Sequence, residues 1–191
     1  MNDNGNELGP LTPLVGTWEG EKGDDVAPSD AAGPHDRSVA TSCYRERMVF
    51  EPTGRTDNHA QTLYGLRYRT TAWRIGEDAP FHEELGYWLW DADARQVMRC
   101  FVIPRGVTIL AGGTAEHAAR EFELAATLGS PTYGICSNPF LDREFKTVRY
   151  ELKVTIHDAN SFSYEEDSQM ELAGRARLFH HTDRNTLRRV L

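Results

Sequence analysis

Cysteine is scarce in this chain. Cys43, Cys100 and Cys136 are the three in 191 residues, odd in number, far apart and without a Cys-x-x-Cys spacing. Neither a disulfide framework nor a zinc site is indicated, and a reducing compartment fits best. Basic charge is also short. Lys and Arg number 21 against 29 Asp and Glu, a formal net charge of −8, so no positive field is present to hold a phosphate backbone or an anionic membrane surface. No run of about eighteen apolar residues occurs, the least that a membrane-spanning helix needs. The opening Met1-Asn-Asp-Asn-Gly-Asn-Glu7 is polar and acidic and does not read as a signal peptide. The expectation is a cytoplasmic protein with neither nucleic acid nor membrane as partner. A helical period is missing too: no segment of helical length places its apolar residues at a 3.6 spacing.

What the chain does have is strand patterning. Residues 1–9 read as a tail. Leu11-Thr-Pro-Leu14 reads as one helical turn with Thr12 as N-cap and Pro13 in the first helical position. Leu14 to Gly20 forms a first strand, and residues 22–37, polar and carrying Pro28, Gly33 and Pro34, form a long connection. Strands are then predicted near 39–51, 61–75, 82–91, 96–103, 106–112, 119–128, 145–157, 161–172 and 174–180, separated by Gly, Pro, Asp and Asn clusters. The clearest alternation sets Val148, Tyr150, Leu152, Val154 and Ile156 on one face. Asp158-Ala-Asn160 joins that strand to the next as a hairpin. With so little helix to cover a sheet, about ten such strands should close on themselves. The predicted fold is an all-β, about ten-stranded antiparallel up-and-down barrel over residues 10–191 with a short N-terminal helical turn. A barrel that wide encloses room for a small hydrophobic ligand.

Several local features accept a plain reading. Gly16 and Gly20 allow a bend or a close strand crossing, and Trp18 between them can plug one end of the barrel. Tyr87-Trp-Leu-Trp90 is aromatic on both faces, so one face must leave the interior, for an end cap or for a second copy in a homodimer. Pro104-Arg105-Gly106 and Ser130 to Cys136 are candidates for the rim, and Glu165-Glu166-Asp167 reads as a solvated edge. No nucleophile elbow is found.

Taken in order, these segments resemble the nitrobindin-like haem-binding β-barrels, relatives in shape of the fatty-acid-binding proteins. Gly16-x-Trp18-x-Gly20 resembles the opening Gly-x-Trp-x-Gly-x-Gly of that family, with the third glycine displaced to Gly23. Tyr44-x-Glu46-x-x-x-Phe50, Trp73 followed by His82-Glu-Glu-Leu-Gly86, and the hairpin carrying Phe145 to Tyr150 and Ser163 to Asp167 resemble its later strands. The Arg-x-Tyr pair with which fatty-acid-binding proteins hold a carboxylate is absent, since Arg149 and Tyr150 are adjacent and face opposite ways.

The resemblance implies haem b as cofactor, ligated by a histidine near the C-terminus, with ferric-haem chemistry on nitric oxide or peroxynitrite, a peroxynitrite isomerase activity. Within Phe179 to Arg189 the matching ligand is His181, with His180 as the alternative and Leu187 and Arg189 standing for the family's Leu and Arg, one residue further from the histidine than usual. Neutral imidazole suits the role because one nitrogen lone pair is free near pH 7 while the other nitrogen can be oriented. Neighbouring strand residues face opposite ways, so only one of the two histidines should look inward. Two other readings stay open: a strand-capping turn in which Asp183 bonds backbone N–H groups, and a haem-free carrier or sensor of an apolar ligand.

Overall fold

The computed structural model describes residues 7–33 and 35–190, so Met1 to Asn6 of the expected tail, Pro34 and Leu191 lie outside the described residues. Eleven strands form one antiparallel sheet: β1 (Gly16–Pro28), β2 (Val39–Asn58), β3 (Gln61–Arg74), β4 (His82–Asp91), β5 (Gln96–Ile103), β6 (Val107–Thr114), β7 (Glu121–Thr127), β8 (Ile135–Ser137), β9 (Phe145–Asp158), β10 (Ser161–Leu172) and β11 (Phe179–Arg189). Ten of them close a barrel, because β1 pairs with both β2 and β11 while β5 pairs with β6. The short β8 is an extra. It covers Val107–Ile109 of β6, while β7 meets β6 only at Gly112↔Ala125. One short helix, α1 (Pro139–Glu144), precedes β9 and is capped by Asn138, whose side chain accepts from the N–H groups of Phe140 and Leu141. The barrel is as the strand pattern predicts.

Four boundaries differ from the sequence reading, the plainest being β2, which runs past its expected end at residue 51 to Asn58. The N-terminal turn is a 3-10 helix at Gly9–Leu14 with no side-chain cap, so Thr12 is inside it rather than at its start. Leu8 and Gly9 are buried with it, not part of a tail. β1 continues through Lys22, Asp24 and Asp25 to Pro28, which shortens the expected 22–37 connection. A register shift between Gly20 and Gly23 interrupts the alternation and hides the second half of the strand. The last strand begins at Phe179 and runs to Arg189, so His-His-Thr-Asp is strand and not a turn.

The 3-10 helix closes one end. Leu8, Leu11 and Leu14 pack with Trp18, Leu66, Trp90 and Val97 into the apolar floor. Trp18 is the expected plug: its Nε1 donates to the Leu14 carbonyl at 2.7 Å, its ring meets Phe162 edge-on at 4.9 Å, and the Arg189 guanidinium lies 4.2 Å above its face. Gly16, at φ +121°, leaves the space that this guanidinium occupies. Along β4 the aromatic run divides, with Trp88 and Trp90 buried inside while Tyr87 stands outside with Leu85 and Val102, all three exposed.

The walls come close enough to forbid a side chain at Gly86. A Cβ there would sit 2.0 Å from the Cys100 carbonyl oxygen and 2.8 Å from the Phe101 Cα, backbone atoms that cannot yield. Gly86→Ala is expected to cost about 3 kcal/mol of stability, at the top of the range for overpacked sites, read as a lowered denaturation midpoint in urea.

Candidate functional site

The end of the barrel opposite the 3-10 helix is open, with Phe81, His82 and His181 partly exposed around it. Below that mouth the interior is crossed by polar side chains, each in the inward phase of its strand. Arg99 lies between Val97 and Phe101 on β5, all three buried. Its Nε donates to the Tyr68 hydroxyl at 3.1 Å, its Nη1 to Tyr150 and to Glu166 Oε2 at 2.9 Å, and its Nη2 to Glu84 Oε2. Tyr68 and Tyr150 in turn donate to Glu84 at 3.1 Å and to Glu166 at 2.7 Å. Burial works against the Glu84 carboxylate, but Arg99 and His82 outweigh it and hold its pKa well below the usual range. Glu166 is therefore not part of a solvated edge. It points inward between the outward Glu165 and Asp167, because strand neighbours alternate faces.

A second cluster, lacking a base, spans β1, β2, β10 and β11. The Tyr164 hydroxyl lies 3.1 and 3.2 Å from the two Glu46 oxygens, 3.2 Å from Asp183 Oδ2 and 2.6 Å from the Tyr44 hydroxyl. Asn185 donates to Glu46 at 2.7 Å, and Gly20 leaves the room this amide fills. Burial is the main force raising the Glu46 pKa to about 7, with the charge of Glu84 adding to it. Asp183 is raised well above the ordinary carboxylate range by burial and by Glu166, Glu46 and Glu84.

At the mouth, Asp25 joins His181 to Arg74. His181 Nε2 is 3.0 Å from Asp25 Oδ1, and Arg74 Nη1 is 2.8 Å from Oδ2. Asp25 is pushed up by burial, yet these two partners bring its pKa below the ordinary value. Arg74 also lies 3.7 Å above the Phe81 ring. His82 Nε2 is 3.2 Å from Glu84 Oε1, and that carboxylate raises its pKa against the effect of burial. His181 faces the cavity, as one of the two neighbouring histidines should. His180 points out, half exposed, with Nδ1 2.7 Å from Asp167. Gly16 and Trp18 are architectural, and Gly20 serves the site only by admitting Asn185. Cys43, Cys100 and Cys136 are free thiols.

A walled barrel open at one end belongs to the class of proteins that take a ligand inside a β-barrel. The comparisons narrow the class. Residues 7–189 match the family model described as "THAP4-like, heme-binding beta-barrel domain", and the chain belongs to that family. A solved structure, that of Rv2717c from M. tuberculosis, is similar over 95% of both chains with a TM-score of 0.67 and 23% identity, a likeness of fold. No curated protein matches.

Whether haem fits is a question of donor and of room. The donor is suitable: His181 faces inward and carries a carboxylate on one ring nitrogen, the arrangement that orients metal-bound imidazoles. The room is not. The side chains leave a cavity of about 90 Å³, against roughly 300–1,000 Å³ for sites that hold ligands of drug size. A macrocycle would also press on Glu46, Glu84 and Asp183 where it needs apolar walls. As the side chains stand, haem does not fit.

None of Glu46, Glu84, Arg99 or Glu166 was singled out from sequence as a site residue. The available signal was a charged residue in the phase of buried apolar neighbours, as in Val97-x-Arg99-x-Phe101.

Two outcomes test the network. Arg99→Ala leaves Glu166 without a cation and Glu84 with His82 alone, and is expected to cost about 3–5 kcal/mol, measured by chemical denaturation. Glu46 gives a pH signature. Unfolded, it ionises near its ordinary value of 4.5, whereas folded it keeps its proton to about 7, so the folded state binds more protons between these values and stability falls as pH rises through them. Glu46→Gln cannot ionise. Its stability should match the wild type near the bottom of this window and exceed it by on the order of 3 kcal/mol above the top, read from urea curves across that range.

Proposed function

We propose that this chain is a haem-free member of its family that admits a small, hydrogen-bonding ligand through the mouth between Phe81, His82 and His181. The observation that carries the reading is the Arg99–Glu84–Glu166 network with Tyr68 and Tyr150, which fills the middle of the barrel and leaves about 90 Å³. Family membership supports a ligand inside the barrel. The lining is more polar than the small hydrophobic ligand expected from sequence calls for, since carboxylates, tyrosines and an arginine share it with Phe50, Trp88 and Phe162. A molecule held there must satisfy polar groups as well as fill space.

A second reading is favoured by one feature, the inward-facing His181 with Asp25 on its Nε2. In that case haem b would be bound by His181, and ferric-haem chemistry on nitric oxide or peroxynitrite would follow from the cofactor. It requires the interior side chains to move aside.

Hemin titration separates the two. The expected result is no saturable Soret shift from the wild type. A one-to-one shift that His181→Ala abolishes and His180→Ala spares would overturn the haem-free reading.

A further inference from the structure

We propose that the cavity is a recognition site for a small primary ammonium ion, held between the carboxylates of Glu46 and Asp183 within a ring of aromatic side chains. The inference rests on the haem-free reading and names the ligand class of the same site.

Five carboxylates line the cavity: Asp25, Glu46, Glu84, Glu166 and Asp183. Arg99 answers Glu84 and Glu166, and Arg74 with His181 answers Asp25. Among the described residues no Lys, Arg or His nitrogen lies within ion-pair distance of Glu46 or Asp183. Their partners are the neutral Tyr44, Tyr164 and, for Glu46, Asn185. The Tyr44–Tyr164 contact takes one tyrosine proton, which leaves the other and one Asn185 N–H for four carboxyl oxygens. Every arginine that lines the cavity or bonds to its wall is already engaged, so an anion finds no free base.

Thr70 and Trp88 both line the cavity, each is 4% exposed, and neither the Thr70 hydroxyl nor the Trp88 Nε1 has a hydrogen-bond partner among the described residues. Thr70 lies in the inward phase of β3 between Tyr68 and Ala72. Buried polar atoms left unpaired inside a cavity are atoms that a ligand can satisfy. The hydroxyl can accept from an ammonium N–H, and the indole N–H needs an acceptor on the ligand's stem.

Tyr44, Phe50, Tyr68, Trp88, Phe162 and Tyr164 wall the cavity, and aromatic faces attract cations most strongly where water is excluded. The volume of about 90 Å³ admits an ammonium group on a short stem and lies below the roughly 300–1,000 Å³ of sites that take larger ligands. N–H donors are needed at the two carboxylates, which favours a primary ammonium over a quaternary one.

The test uses the whole chain and titrates ethanolammonium, its neutral isostere ethylene glycol, and acetate, at constant ionic strength near 0.15 M so that the net negative charge of the protein is screened. Binding is followed by tryptophan fluorescence and by chemical shifts of Trp88. The expected result is saturable one-to-one binding of ethanolammonium alone, weakened roughly tenfold or more by Glu46→Gln and by Asp183→Asn, and unchanged by Glu165→Gln on the outer face. Comparable binding of ethylene glycol, wild-type affinity retained in both carboxamide variants, or no binding of any probe would overturn the proposal. Hemin added to the same samples keeps the two readings apart. Absence of both ammonium and hemin binding removes the amine site and leaves the haem-free reading standing, whereas a His181-dependent Soret shift removes the reading on which the site rests.

Discussion

The interior is organised around one buried guanidinium. Arg99 is almost wholly removed from water, and a charge so placed is tolerated only when paired and fully hydrogen-bonded. Glu84, Glu166, Tyr68 and Tyr150 meet that demand from β4, β10, β3 and β9, so a single side chain on β5 ties together walls on opposite sides of the barrel. The arrangement need not stabilise the fold more than an apolar core of equal volume would. It fixes which side chains must stay, and so how much room is left.

The remaining features of the cavity follow from that choice. With Arg99 engaged by two carboxylates and Arg74 held at the mouth by Asp25, Glu46 and Asp183 have only neutral partners. Burial then raises their proton affinity, which is the cost of excluding water from an unpaired acid. Membership in a haem-binding family and an interior too small for haem are compatible, because the fold supplies a closed wall while the inward residues decide what it encloses. His181 illustrates the difference. It faces the cavity with a carboxylate beside it, yet the room before it is only about 90 Å³.

Strand existence was legible from period-two alternation, and closure followed from having many strands and almost no helix. The hairpin at Asp158 stands as read, with Asp158 Oδ1 accepting from the Asn160 N–H at 2.7 Å. Several of the misreadings involve a polar face that turns inward. β11 presents His181, Asp183 and Asn185 to the interior, and a polar inward face mimics a turn when polarity is taken as the sign of solvent. The second half of β1 was lost in the same way, since Asp25 is buried against Arg74 and His181 rather than solvated. Glu166 looked exposed because Glu165 and Asp167 flank it.

By itself, then, the amino-acid sequence determined an antiparallel barrel with a tryptophan plug at one end and one of two neighbouring histidines turned inward, because alternation and turn chemistry are local properties of the chain. Tertiary structure alone decided that the barrel's middle is filled. Arg99, Glu84 and Glu166 come from strands far apart in the chain, and whether a buried charge is paired depends on what reaches it across the interior, which no local pattern encodes.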